Sequence, residues 1–252
     1  MTPNQKSDLD WIRSQGVGST LRQLWYDADW RCHVVLLLSP LLLTTWKYFC
    51  SYQALSENLP EQILFVQKNS HVIELIHFAL SFLLLGCVPC LVIRGLFRER
   101  LSDYGLQLGD VGYGLKIFGG LFPIFIAAAY LAAPDPQLQI EYPLDKLADR
   151  STGRFLLHAF GYFLFYVGWE IYFRGFMQFG LQARFGVWQA ILVQTLASCL
   201  LHIGKPTGEI FGSIAGGILW GVIAYRAQSI WPCLGMHAAL GILLDVFICA
   251  NR

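Results

Sequence analysis

Long apolar stretches recur along this sequence and restrict the folds available to it. A helix needs about 20 apolar residues to cross the roughly 30 Å hydrocarbon core of a bilayer. About seven segments reach that length, namely 32–50, 72–95, 114–133, 155–180, 187–203, 208–226 and 230–249. Because backbone polar groups inside lipid must be satisfied within the chain, the pattern predicts an all-α polytopic membrane bundle of about seven transmembrane helices.

The overall composition favours the same class. Of the 252 residues, 55% are hydrophobic and 14% are charged, which is unlike an ordinary soluble domain. The formal net charge is only +1, so we expect the lipid bilayer, and no nucleic acid, as a partner. The seven cysteines lie within or at the ends of apolar segments, where a disulfide framework is not expected.

One interior connection has the composition of a linker, with prolines at positions 134, 136 and 143. It divides the spans into a group of three and a group of four. The predicted parts are a cytoplasmic amphipathic leader (1–31), an N-terminal three-span part (32–133), a connecting loop (134–154) and a C-terminal four-span core (155–252).

The basic residues of short loops predict the orientation, because such residues accumulate on the cytoplasmic side. They follow the second, fourth and sixth predicted spans, as Arg94, Arg98, Arg100, Arg184 and Arg226. We therefore expect these loops and the N-terminus to lie in the cytoplasm.

The fourth predicted span contains the stretch WEIYFRGF, which puts two charges into an apolar segment. Glu170 and Arg174 are four residues apart and therefore share one helix face. A charge inside a span costs several kcal/mol and normally faces a protein partner or a water-filled cavity. Taken alone, the pair is equally consistent with a structural ion pair and with a functional site.

Two other spans carry a polar or small residue at every fourth position. These stripes are Gln194, Ser198 and His202 in the fifth span and His237, Gly241 and Asp245 in the seventh. If both stripes face Glu170, the bundle interior collects two histidines and two carboxylates. That is the inventory of a metal-assisted or carboxylate-driven hydrolase.

Helix rise, about 1.5 Å per residue, gives the depth of each group from the loops on one side. Glu170, His202 and Asp245 come out at roughly 20, 24 and 25 Å, whereas His237 comes out at roughly 13 Å. We expect the first three at one level, with His237 reaching it only through helix tilt. The other histidines lack such companions and are interpreted as interfacial or packing residues: His33, His71, His77 and His158.

Residues 155–249 resemble the CPBP family of intramembrane proteases, named for CAAX proteases and bacteriocin-processing enzymes. The family motif EExxxR is similar to WEIYFR, with Trp169 at the first Glu, Glu170 at the second and Arg174 at the Arg. The motif FxxxH is similar to SCLLH, which ends at His202. The motif HxxxN, or HxxxD, is similar to HAALG, with His237 at the His and Gly241 at the amide or carboxylate position.

This resemblance implies an intramembrane endopeptidase, either a metalloprotease or a glutamate-dependent enzyme, that cuts membrane-anchored proteins near a C-terminal anchor. Glu170 would activate water and Arg174 would hold its carboxylate. His202 and His237 would bind zinc or another divalent metal, or stabilise the oxyanion. Asp245, one helical turn beyond Gly241, is predicted to replace the side chain missing there. The depth of the site and the predicted orientation favour a bacterial inner-membrane protein acting on exported substrates.

Two alternatives stay open. Trp169 and Gly241 depart from the family motifs, which would suit a catalytically inactive scaffold or accessory subunit that binds anchored proteins. A small transporter with a proton-carrying Glu170 would need a polar path, to which the first three spans add little beyond Glu74. The small-xxx-small glycines of the sixth span are interpreted as helix packing; they are Gly212, Gly216, Gly217 and Gly221.

Overall fold

The computed structural model of the chain describes residues 16–26, 29–58 and 70–251. Every regular element in these ranges is helical, which confirms the predicted all-α fold. The main helices are α1 (Val17–Tyr26), α2 (Trp30–Thr45), α3 (Tyr52–Asn58), α4 (Ser70–Ser81), α5 (Val111–Ala132), α6 (Pro136–Glu141), α7 (Thr152–Glu170), α8 (Val187–Leu201), α9 (Thr207–Ala227) and α10 (Trp231–Ala250). Most of the predicted leader, residues 1–15 and 27–28, lies outside the described residues.

Three of these helices run on through wider π-helical turns. The π-helical segments are Trp46–Cys50 after α2, Phe82–Cys87 and Val92–Phe97 after α4, and Ile171–Phe179 after α7. Two short α-helical segments, Val88–Leu91 and Gly180–Phe185, complete the continuations of α4 and α7. Such π-helical insertions occur frequently at functional sites. In this chain the longest of them begins directly after Glu170.

Five helical segments in the described part of the chain are long and apolar enough to cross a membrane: Trp30–Cys50, His71–Phe97, Val111–Ala132, Thr207–Ala227 and Trp231–Ala250. Their ends lie within three residues of the predicted first, second, third, sixth and seventh spans. The other two predicted spans are also helical and correspond to α7 with its continuation and to α8. Since α8 has 15 residues, it extends only about 22 Å. The protein is thus a multi-pass membrane protein.

The segment Ile171–Phe179 lies at the centre of the bundle, and all nine of its residues are buried. It contacts α2, α8, α9 and the continuation of α4, while α5 packs along α10 and α8 packs along α9. Arg174 is therefore only 2% exposed because protein, rather than lipid, surrounds it. This placement explains how an apolar span accepts the charges of Glu170 and Arg174.

The glycines of α9 divide into two groups, which corrects the prediction that all of them serve helix packing. A Cβ at Gly217 would lie 2.8 Å from Thr195, and a Cβ at Gly221 would lie 2.9 Å from Ile191, so α8 approaches α9 closely at both. A Cβ at Gly212 or Gly216 would meet no atom within 4 Å. The sequence spacing is the same in both groups, but only the first group lies at a helix interface.

Candidate active site

A cavity of about 500 Å³ lies between α5, α7, α9 and α10. It brings Arg174, His202 and His237, three of the predicted site residues, to one space. Other polar groups on its wall include Tyr142, Tyr166, Ser198, Lys205 and Glu209. Small residues form part of the wall on two facing helices, Ala128, Ala129 and Ala132 on α5 and Gly208, Gly212 and Gly216 on α9.

A single carboxylate oxygen of Glu170 links the EExxxR motif to the motif that contains His237. Its Oε1 accepts hydrogen bonds from His237 Nδ1 at 2.7 Å and from Arg174 Nη1 at 3.2 Å. Its Oε2 is buried without a hydrogen-bond partner in the described part of the chain, and Glu170 is 0% exposed. The Glu170 carboxylate therefore contacts the His237 ring and does not line the cavity. The 2.7 Å contact between His237 Nδ1 and Glu170 Oε1 also shows that the two residues lie at the same depth in the bundle. The sequence predicted this only for a tilted helix.

Both histidines have one ring nitrogen anchored. His202 Nδ1 donates to the backbone carbonyl of Ser198 at 2.8 Å, and His237 Nδ1 donates to Glu170. These assignments follow from the acceptors, since a carbonyl and a carboxylate can only accept. In each ring Nε2 is left for the cavity, which is the arrangement that orients metal-ligating histidines. An imidazole Nε2 of this kind is a usual donor to zinc, whereas the three-residue group whose ligand atoms lie close enough to hold an ion in the described residues is His71, Glu74 and Asp145.

Trp169 occupies the position of the first Glu in the EExxxR motif. Its ring lies edge-on to the His202 ring, with centroids 5.8 Å apart, and it forms part of the cavity wall. The side chain is 4% exposed. An indole has no acid–base capacity near neutral pH, so this position supplies no base to the cavity.

Tyr166 fills the space that a side chain at position 241 would occupy. A Cβ built on Gly241 would lie 2.0 Å from the Tyr166 hydroxyl oxygen. The Tyr166 ring also contacts the His237 ring, with centroids 4.6 Å apart. Gly241 is thus the residue that admits a phenol beside His237, where the family motif has an amide or carboxylate.

Asp245 belongs to a different cluster, which argues against its predicted role as the substitute for the missing Gly241 side chain. Its Oδ2 accepts from His158 Nε2 at 2.9 Å, and His158 Nδ1 donates to Glu74 Oε2 at 2.8 Å. All three side chains are 0% exposed. The four-residue spacing put Asp245 on the His237 side of α10, yet its carboxylate is directed to α7 and α4.

This second cluster extends to the connecting loop and includes two histidines that the sequence reading took for packing residues. His71 Nδ1 lies 3.1 Å from both Glu74 Oε1 and Asp145 Oδ2, and Asp145 also pairs with Arg154. The ligand atoms of His71, Glu74 and Asp145 lie within 4.8 Å of one another, so they could hold a cation. These side chains also form ion pairs with one another and with Arg154 and His158, which makes them an ion network when no cation is bound.

Glu209 is a cavity carboxylate that sequence reasoning missed. It is 22% exposed as a side chain, and its Oε1 lies 3.9 Å from His202 Nε2. Its two carboxylate oxygens accept from the Tyr142 hydroxyl at 2.9 and 3.0 Å. Burial of Tyr142, together with the nearby negative charge of Glu209, raises the pKa of Tyr142 well above its usual range. The signal was present, since Glu209 lies inside the predicted sixth span just as Glu170 lies inside the fourth.

Comparison with protein families gives a match over the region that contains this site. Residues 152–243 match a family model described as type II CAAX prenyl endopeptidase Rce1-like. The matched range includes Glu170, Arg174, His202 and His237 and ends before Asp245. The resemblance to the CPBP family is thereby confirmed. No curated protein and no solved structure matches the chain.

Proposed function

We propose, from the Rce1-like character of residues 152–243, that this protein is an intramembrane endopeptidase whose active site is the cavity between α5, α7, α9 and α10. One observation carries the proposal. His202 and His237 lie on the wall of one cavity, each with its Nδ1 anchored by a hydrogen bond. Two histidines held in this way are suited to bind a reacting oxygen.

The surrounding residues have distinct roles. Glu170 holds the His237 ring and is in turn held by Arg174, so we assign it positioning rather than the predicted activation of water. Tyr166 supplies a hydroxyl donor beside His237, where it can stabilise the oxyanion of a tetrahedral intermediate. His202 and His237 would hold a zinc or similar ion, which when bound polarises a carbonyl and acidifies water.

The proposed substrates are membrane-anchored proteins, cut near a C-terminal anchor. The cavity suits them because its walls on α5 and α9 are built from alanine and glycine, which let another backbone approach closely. A bacterial inner membrane with a cytoplasmic N-terminus is proposed as the setting. Reporter fusions at each terminus test that orientation, and a reporter active outside the cell at the N-terminus would contradict it.

A second candidate function is a catalytically inactive scaffold that binds anchored proteins. The side chain of Trp169 in the cavity wall favours it, because the first position of the EExxxR motif then lacks a carboxylate. The scaffold keeps the same binding cavity but needs neither histidine for chemistry. The two functions therefore differ in what a histidine variant does.

The test compares the C-termini of membrane and exported proteins by mass spectrometry in cells with wild-type protein, His202→Ala, Ile203→Ala or no protein. Ile203 is 59% exposed and serves as the neighbouring control. For a protease, C-terminal segments persist in the null and His202→Ala cells and are removed by wild type and Ile203→Ala. If His202→Ala cells match wild type while null cells differ, the scaffold function replaces the protease.

Zinc content gives an independent reading of the two histidines. Purified wild-type protein is expected to carry near-stoichiometric zinc or a similar ion, measured by elemental mass spectrometry, and His202→Ala is expected to lose it. Ile203→Ala should retain the ion. An active enzyme without metal would contradict the metal-binding role of the two histidines.

A further inference from the structure

We propose that Glu209 is the general base of this site, the carboxylate that takes the proton from the attacking water. This inference rests on the proposed protease function and adds a catalytic residue to it. It is needed because the three motifs leave the cavity without a base. Trp169 has none to offer, and Glu170 is 0% exposed, lies off the cavity wall and has its Oε1 bound to His237 and Arg174.

Exposure separates the two glutamates. Glu170 is 0% exposed and is absent from the cavity wall, whereas the Glu209 side chain is 22% exposed and forms part of that wall. Among the described residues, Asp135 is the other carboxylate on the wall. Asp135 accepts from the backbone N–H of Gln137 and caps α6. Glu209 is thus the cavity carboxylate that also lies next to a site histidine.

The geometry of Glu209 suits a bound water. Its Oε1 lies 3.9 Å from His202 Nε2, so a water about 2.8 Å from each atom fits beside the pair. Tyr142 donates to both carboxylate oxygens and fixes the carboxylate plane. An ionised carboxylate has about four lone-pair positions, which leaves it able to accept from water as well. Lys205, which pairs with Glu141, stands at the same end of the cavity.

The step balances without any further reactant. Glu209 takes a proton from water while the water oxygen forms a bond to the scissile carbonyl carbon and the π electron pair moves to the carbonyl oxygen. When the tetrahedral intermediate collapses, the C–N bond breaks and Glu209 returns its proton to the leaving nitrogen. One peptide bond and one water become a carboxylic acid and an amine.

The experiment measures cleavage of a substrate identified in the C-terminal comparison, using purified full-length protein in detergent. Glu209→Gln is expected to lower kcat by about 10² to 10⁴, the usual contribution of general acid–base catalysis, while KM and capture of the uncut substrate stay at wild-type levels. Asp149→Asn, at an exposed carboxylate that lies off the cavity wall, is the matched control and is expected to keep the wild-type kcat. A Glu209→Gln enzyme within about threefold of wild type in kcat would overturn the proposal.

A second variant decides the matter if Glu209→Gln fails to fold. Glu209→Asp keeps the charge but withdraws the carboxylate by one methylene, and a displacement of about 1 Å can cost about 10² in rate. A kcat close to wild type in Glu209→Asp would then rule out the base. Failure of the proposed function looks different, since in that case wild type, Asp149→Asn and both Glu209 variants all leave every candidate substrate uncut.

Discussion

Gly241 shows how a single residue can change a motif without emptying the site. Position 241 has no side chain, and the Tyr166 hydroxyl lies 2.0 Å from where a Cβ would be. The phenol thereby contacts His237 from the neighbouring helix. Glycine is required here for space rather than for backbone conformation, because the residue is within the regular helix α10.

The substitution Gly241→Ala tests this fit. We expect it to destabilise the protein by about 1–3 kcal/mol, the usual cost of overpacking, measured by thermal unfolding in detergent. Adding Tyr166→Phe removes the clashing oxygen and should recover a large part of that loss. Gly235→Ala on the same helix meets Phe118 at an ordinary 3.5 Å and should be neutral or slightly stabilising. Equal stability of Gly241→Ala and Gly235→Ala would show that Tyr166 does not fill the site.

Glu170 and Glu209 show a second effect at this scale. The same residue type serves two purposes because burial differs: one glutamate fixes a histidine from inside the protein, and the other faces the cavity. The EExxxR motif identified Glu170, but no position of the three motifs corresponds to Glu209. Contact with solvent, rather than membership of a motif, decides which carboxylate can reach a water.

Among the elements, α9 presents two different surfaces. Near its C-terminal half, Gly217 and Gly221 let α8 approach within a few ångströms. Nearer its start, Gly208, Gly212 and Gly216 have open space in front of them and form the cavity wall. One helix thus combines a packing face and a smooth cavity wall.

Leucine substitutions distinguish these two surfaces. Gly212→Leu puts a side chain into the cavity, and we expect it to keep its membrane level but lose about 100-fold in cleavage rate. Gly217→Leu collides with Thr195 and should reduce the amount of folded protein. Gly120→Leu on α5, which also has open space but lies off the cavity wall, is the control for both. The assays are membrane immunoblots and substrate cleavage, and normal cleavage by Gly212→Leu would remove α9 from the substrate path.

At the scale of the whole molecule, the buried network around His158 connects the parts of the chain. It joins Glu74 on α4, Asp145 in the connecting loop, His158 on α7 and Asp245 on α10. Helix α4 and the connecting loop are therefore joined to α7 and α10 by more than apolar packing. A buried charged network is costly to open, because removing one partner leaves another charge unpaired.

We expect His158→Ala to destabilise the whole protein by about 3–5 kcal/mol, because it strands both Glu74 and Asp245. Thermal unfolding of the purified protein measures the loss. Arg100→Ala breaks the exposed pair with Asp103 and should cost at most about 1 kcal/mol. A His158→Ala protein as stable as Arg100→Ala would mean that the network does not couple the two parts.

The amino-acid sequence alone determined the class of fold and half of the site. Length and apolarity dictate spans because lipid offers no hydrogen bonds to the backbone. Charged and polar residues inside such a span can be recognised from the sequence alone. Glu170, Arg174, His202 and His237 were selected in this way. The same rule, applied evenly, would have found Glu209.

Tertiary structure decided which side chains meet. Residues at four-residue spacing share a helix face, but the spacing says nothing about which neighbouring helix that face contacts. Asp245 therefore pairs with His158 instead of serving His237, and Tyr166 reaches across to Gly241. The glycines of α9 repeat with one spacing, yet Gly217 and Gly221 contact α8 whereas Gly212 and Gly216 have open space before them, for the same reason. Contacts between helices depend on rotation, tilt and shape, and these are properties of the assembled bundle.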